Sequence, residues 1–428
     1  MTGTPATLRS LRHRNFQLFF AGQLTSLVGT WMQTVAQAWL VYRLTGSPAQ
    51  LGLVSFAGQI PLFLLSPIAG YAADRFNRLR VVFATQAFAM ALAALLAGLT
   101  LTGRIRIWEL YVLSTLLGVA NAFDVPARQS LFVDMVGRED LMNAIALNAS
   151  IYNGARIVGP AIAGILVAQI GEGWCFFGNA VSYVAVLVAL WLMKVRPFEP
   201  HKAVGSAWDT IREGVVYSAR TTPFRELLSL LALISFAGTP YLVLMPIFAD
   251  QVLHSGAQGF GILMGSCGAG ALAGALLMAS RVNMKAFPAY AFVATTAFPI
   301  AITVFTWSTV FWVSCAGAFA ASFTIMIQLN ATNTLMQAIV PDRLRGRIVS
   351  LYSMMYLGMS PIGAAVAGFA ADSLGARVTL TTGAVICMLA SWTYATRLPA
   401  IRASVQDLIR HPDRHHPVRE AASEAAAL

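Results

Sequence analysis

The chain has 428 residues, of which 57% are hydrophobic and only 11% charged, and its formal net charge is +11. Soluble domains carry roughly 25% charged residues, so this composition excludes an ordinary water-soluble protein. The apolar residues fall in blocks of roughly 18–25, the length that crosses a hydrocarbon core about 30 Å thick, and they lack the polar alternation of a β-barrel. An all-α, polytopic membrane protein is predicted.

In chain order, the basic start LRSLRHRNF runs into the first span without a small-residue cleavage site, so no cleavable signal peptide is expected. Twelve spans follow, at about 15–40, 49–73, 79–101, 107–127, 141–168, 172–193, 224–249, 258–280, 286–306, 309–336, 347–371 and 376–398. Span one carries a polar stripe of Gln23, Ser26, Thr30, Gln33 and Gln37. After span two comes GYAADRFNRLR, with Gly70, Asp74, Arg75 and Arg78. Span four holds Glu109 near its outer end and Asp124 near its inner end, with Arg128 one helical turn beyond Asp124. No other acid approaches mid-depth, so Asp124 is the candidate carrier of a coupling proton. A fixed ion pair with Arg128 is the alternative.

Span five contains GARIVGPAIAG, an apolar run interrupted by Arg156 near mid-bilayer, where a guanidinium is costly unless compensated. Asn148, Tyr152 and Arg156 are spaced i, i+4, i+8 and share one helix face. Gly154, Gly159, Pro160 and Gly164 supply small residues for close helix approach and a proline that frees a backbone carbonyl. Span eight repeats the small-residue theme at Gly261, Gly265, Gly270 and Gly274, span ten offers Thr324 and Gln328, and span eleven has Tyr356 among Met354, Met355 and Met359. Polar side chains aligned in this way are expected on a substrate pathway: Arg156, Tyr152, Asn148, Gln23, Gln33, Gln37, Gln328 and Tyr356. The alternative for each is hydrogen bonding between helices.

An even span count puts both termini on one side. With the termini inside, 24 of the 29 Lys and Arg lie in tails and inside loops, Arg43, Arg104, Arg106 and Arg377 lie outside, and Arg156 lies in a span. That asymmetry orients the chain and accounts for its charge, so nucleic-acid binding has no remaining support. The expected organisation is a six-helix half (1–193), a cytoplasmic loop (194–223) with an amphipathic surface helix capped by Ser206 and Asp209, a second six-helix half (224–398), and a disordered cytoplasmic tail (399–428). A shift of 204 residues overlays 131–164 on 335–368 with nine of 34 positions identical, including Gly154/Gly358, Gly159/Gly363 and Gly164/Gly368. A duplicated six-helix unit is a common transporter design, with the substrate site between the halves.

The loop GYAADRFNRLR resembles the signature G-x-x-x-D-R-x-G-R of the major facilitator superfamily, with Asn77, a residue tolerant of left-handed turns, in place of its second glycine. That resemblance implies a cytoplasmic latch between halves formed by Asp74, Arg75 and Arg78. The matching second-half loop, ASRVNMK, lacks the acid. Span five resembles the antiporter motif of exporters, which places spans five and eight against each other. With FDVPARQ (123–129) and LTGSPAQLGLV (44–54), the chain is similar to the enterobactin-exporter and macrolide-efflux subgroup of drug:proton antiporters. The arginine that many proton-coupled exporters carry in span four is Ser114 here, so that relay does not transfer.

The expected function is export of amphipathic organic molecules, drug-like compounds or siderophores, by alternating access and proton antiport. Import or facilitated uptake of a small polar metabolite, whose anionic group Arg156 could clamp where it has one, is the alternative. The histidines all lie in loops or tails, Cys175, Cys267, Cys315 and Cys387 are single, and there is no GxxxxGK[ST] loop. No enzymatic site, metal or cofactor is therefore expected, and the expected partners are membrane lipid, a small-molecule substrate and protons. A monomer in the cell (inner) membrane with both termini cytoplasmic completes the reading.

Overall fold

A computed structural model describes residues 6–194, 215–281, 286–341 and 344–410, without the side chains of residues 6, 7, 67, 73, 74, 409 and 410. The loop helix expected around Ser206, Trp208, Asp209 and Ile211, the carboxylate of Asp74 and the tail from 411 lie outside the described residues. Among the described residues there are twelve long helices: α1 (Arg14–Thr45), α2 (Pro48–Arg75), α3 (Arg78–Leu101), α4 (Ile107–Val136), α5 (Leu141–Ile170), α6 (Glu172–Leu192), α7 (Thr222–Val252), α8 (Gly256–Ala279), α9 (Phe287–Trp307), α10 (Phe311–Ile339), α11 (Arg345–Leu374) and α12 (Ala376–Arg410). Eleven are long and apolar enough to cross a membrane. The exception, α1, is 32 residues long, but its Gln, Ser and Thr stripe makes it more polar.

Local chemistry sets the helix ends. Ser47 caps α2 by accepting from the Gln50 N–H at 3.4 Å, with Pro48 at the first helical position, where its missing N–H costs nothing. Gly46 closes α1 at φ 62°, a left-handed position suited to glycine. Asn77, expected to tolerate a left-handed turn, instead has φ −62° and caps α3, accepting from the Arg80 N–H at 3.1 Å. Two expected boundaries move. Helix α4 runs on to Val136, which puts Asp124 and Arg128 well inside it, and α12 continues past Pro399 to Arg410, into the stretch expected to begin the tail.

The packing repeats. In the first half α1 lies against α5 and α6, α4 against α2 and α3, and α3 against α6; in the second, α7 lies against α11 and α12, α10 against α8 and α9, and α9 against α12. Each pairing recurs six helices later. The halves join through α5–α8 and α2–α11, themselves related by the same shift. One glycine pair common to the two halves, Gly164 and Gly368, lies at these seams. A Cβ on Gly261 would meet the Pro160 carbonyl at 2.6 Å, and one on Gly52 would meet the Ala364 carbonyl at 2.4 Å. Gly164 faces Gly261 as Gly368 faces Gly52. Such approach lets backbones touch where lipid offers no hydrophobic driving force between helices. Exposed Trp108, Trp307 and Trp312 at one end, with Trp191 towards the other, are placed as interfacial anchors.

Candidate substrate site at the seam

Arg156 sits at the midpoint of α5 and directly on the α5–α8 seam. Pro160 has no N–H, so the Arg156 carbonyl lacks its partner one turn on. Gly268 of α8 lies against that carbonyl, where a Cβ would come within 2.5 Å. Outward from this level the halves are in contact as far as Gly164 and Gly261. Inward, Gly154 has no neighbour within 4 Å of its Cβ position, and Asn153 donates only to its own helix, at Ala149 O. Among the α8 glycines, Gly268 at the level of Arg156 is the innermost to lie against α5, while on the matching seam Gly358 of α11 still meets the Phe63 ring of α2.

Its side chain is half-buried and forms no ion pair among the described residues. The guanidinium lies 5.5 Å from the ring centroid of Trp31 on α1, and Tyr152 meets that ring edge-on at 5.7 Å. Its field reaches Tyr356 on α11, Tyr241 on α7 and Cys267 on α8. A cation–π contact contributes about 0.5–2 kcal/mol, less than the several kcal/mol that a mid-bilayer charge costs. The Trp31 face alone does not compensate Arg156. The result is a cation set beside the aromatic pair Trp31 of α1 and Tyr152 of α5, with the α8 backbone against it and Tyr356 of α11 within reach of its charge.

Of the residues expected on the pathway, Arg156, Tyr152 and Tyr356 are brought together, and Asn148 lies half-buried two turns inward on α5. The glutamines go elsewhere. Gln33 is buried and accepts from Asn179 Nδ2 of α6 at 2.6 Å, Gln37 donates to Ser114 Oγ of α4 at 2.7 Å, and Gln328 is buried and donates to Thr332 on its own helix at 3.3 Å. Gln23 is buried and accepts from Arg128 at 3.3 Å. Gln23, Gln33 and Gln37 tie helices together within the first half, because the face of α1 they share is turned towards α4 and α6, whereas Gln328 bonds only within α10. Trp31 and Tyr241 escaped the sequence reading, which followed polar stripes; an aromatic ring carries no signal that it will lie under a cation.

Asp124 is held on all sides. Arg128 Nη2 lies 2.7 Å from its Oδ2, while Thr85 Oγ1 and Gln86 Nε2 of α3 both donate to its Oδ1 at 2.9 Å. The fixed pair with Arg128, the alternative to a free coupling acid, is formed. An apolar cavity of about 370 Å³ between α2, α3 and α4, walled by Phe76, Phe88 and Phe123, reaches Thr85. In the loop after α2, Arg78 Nη1 pairs with Asp134 Oδ2 of α4 at 3.1 Å, and Arg75 stacks on Tyr71 at 5.8 Å. Both contacts lie inside the first half, so neither arginine bridges to the second half through them. Gly70 has no neighbour within 4 Å and is not a packing residue in this arrangement.

Comparison with known proteins bears on this geometry. A family model described as "Transmembrane secretion effector" matches residues 5–423. The chain is 26% identical to the staphyloferrin A transporter of Staphylococcus aureus, over 83% of this chain and 89% of that protein. It is 26% identical to the multidrug efflux pump Tap of Mycobacterium tuberculosis, over 95% and 98%. It is also 26% identical to the enterobactin exporter of Shigella flexneri, over 86% of each. Among solved structures it resembles an inward-facing, unoccupied bacterial homologue of the human lysosomal transporter Spinster (TM-score 0.67, 17% identity, 95% of this chain and 99% of that one). It also resembles the nucleoside transporter NupG (TM-score 0.69, 13% identity, 90% and 99%).

Proposed function

The chain belongs to the transmembrane secretion effector family of the major facilitator superfamily, and on that premise we propose that it exports amphipathic organic molecules, drug-like compounds or siderophores, by alternating access. The observation that carries this reading is the matched pair of seams, Gly164 on Gly261 and Gly368 on Gly52, which close one end, with Arg156 two turns inward on the same α5 seam. Two rigid halves touching through symmetric small-residue seams can rock about a site at their midplane. Arg75, Arg78, Arg138, Arg225, Arg345 and Arg347 lie at the opposite end, a charge bias that supports reading that end and both termini as cytoplasmic and the arrangement as inward-facing. Asp74, Arg75 and Arg78 would then latch the halves only when the inner end closes. The named relatives, an efflux pump and a siderophore exporter among them, favour export over import.

Proton antiport belongs to the same reading. Asp124 is the acid for it, and protonation there would release Arg128, so that charge binding is felt by α3, α4 and, through Gln23, α1. The test is expression in an efflux-deficient bacterium, with accumulation of antibiotics, dyes and siderophores followed with and without an uncoupler. Lower accumulation that an uncoupler restores is the expected result. Uncoupler-insensitive export removes the proton step, and raised accumulation establishes the importer.

A further inference from the structure

Along the twelve helices, acids cluster at the ends. Among the described side chains, Glu109, Glu172, Asp250 and Asp372 lie at the closed end and Asp134, Glu226 and Asp407 at the other; of these acids only Asp124 lies inside a span, and Arg128 neutralises it. The transmembrane interior thus keeps one uncompensated positive charge, on Arg156. A guanidinium cannot shed that charge by losing a proton. Arg156 lies on the α5–α8 seam between the halves, so a ligand entering between them can supply the missing counter-charge. The Arg156 Cζ lies 5.5 Å from the Trp31 ring centroid, and a guanidinium's in-plane N–H fork suits the paired oxygens of a carboxylate or a similar group. A cationic cargo would meet repulsion from a fixed charge in low dielectric.

We infer that the cargo is an organic anion with an aromatic or apolar body: its acidic oxygens pair with Arg156 and its body lies against Trp31, Tyr152 and Tyr356. This inference rests on the export reading of the same site and narrows it to one charge class. Binding an anion there also links the halves, because Arg156 belongs to α5 and Tyr356 to α11. The Arg156 charge is not demanded by the architecture, since its two-fold mate, Ser360, is neutral and only bonds Thr239 of α7 at 2.9 Å.

The test uses two dyes of related ring system and opposite charge, carboxyfluorescein and rhodamine 123. Binding to the purified full chain is read by fluorescence anisotropy, and transport by uptake into energised everted membrane vesicles. Carboxyfluorescein is expected to bind and accumulate, rhodamine 123 to do neither, with Arg156→Gln weakening carboxyfluorescein binding about tenfold or more and Arg156→Lys weakening it less. Binding or uptake of rhodamine 123 in preference to carboxyfluorescein overturns the inference and leaves export standing. Binding of neither dye, or undiminished carboxyfluorescein binding by Arg156→Gln, also overturns it. Carboxyfluorescein binding with movement only in right-side-out vesicles upholds the anion site and overturns export instead.

Discussion

Tyr42 of α1 donates its hydroxyl to Asp250 Oδ2 of α7 at 2.7 Å, joining the two halves at their closed end. Asp250 lies in Phe248–Val252, a turn of π-helix whose wider winding redirects the side chains that follow it, and Gln251 Nε2 in turn donates to the Tyr42 oxygen at 3.3 Å. At the same end Ser47 Oγ of α2 donates to Asp372 Oδ1 of α11 at 2.9 Å. Both cross-links are hydroxyl-to-carboxylate bonds, without a cation. Opening this end breaks them at modest cost, as a reversible closure needs, whereas the ion pair of Arg43 with Glu172 stays within the first half.

Tyr42→Phe should therefore open the closed end. A hydrogen bond to a charged acceptor is worth about 1.5–3 kcal/mol, enough to shift a conformational equilibrium about tenfold or more. Spin labels at Leu44 and Leu374, both exposed, should report a larger long-distance population in the variant. A distance distribution identical to wild type would show that the seams alone hold this end shut.

Two glycines of the span-five motif should behave differently. A Cβ on Gly164 would lie 2.9 Å from the Gly261 Cα, where backbone cannot yield, so Gly164→Val should lose transport and about 1–3 kcal/mol of stability. Gly154 has open space around it, and Gly154→Ala should be tolerated. Thermal unfolding in detergent together with an export assay separates the two. Equal tolerance of both would refute the seam.

Asp124→Leu alone strands Arg128 in the bundle, and breaking a buried pair from one side costs about 3–5 kcal/mol. Combining it with Arg128→Met should recover most of that loss. If the acid also carries the coupling proton, the stable double variant should export without response to an uncoupler. A double variant that keeps normal proton dependence would leave Asp124 a purely structural acid.

The N-terminal turn Ala6–Arg12 is anchored to the start of α5 by Asp140, which His13 Nε2 contacts at 2.9 Å and Arg9 at 3.2 Å. The His13 hydrogen bond, with Arg9 beside it, holds the Asp140 carboxyl below the usual carboxylate range. A depressed value means that the anchoring is fully present above the ordinary value of 3.8 and fades only as pH falls through the lower folded value. Hydrogen exchange of residues 8–13 should thus stay slow from neutral pH down to about 4 and become faster in Asp140→Asn throughout that range. Equal exchange in both proteins would show that Ser10 and Asn143, bonded at 2.6 Å, suffice as the anchor.

Much of the architecture is legible in the residues because it depends on local chemistry. Span lengths follow from apolar blocks and helix ends from Ser47 and Gly46. The repeat was visible through glycines whose reason is steric: Gly159 leaves room for Trp31 and Gly363 for the Phe236 backbone, at matching positions in the two halves. The resemblance to the facilitator loop located Arg78, yet the loop's own sequence could not name its partner, Asp134, 56 positions away.

Helical periodicity says which side chains share a face; it does not say what that face meets. Gln33 and Arg156 both stood on such stripes, and rotation of α1 sent Gln33 into Asn179 while rotation of α5 set Arg156 on the seam. The sequence by itself determined that a permanent charge lies mid-span with no acid on the adjoining turns. Only the tertiary structure decided that Arg128 takes Asp124, that Trp31 lies beside Arg156, and that Arg156 falls on the seam between the two halves. Those outcomes depend on how far apart whole helices pack, a sum of many weak contacts that no short stretch of sequence contains.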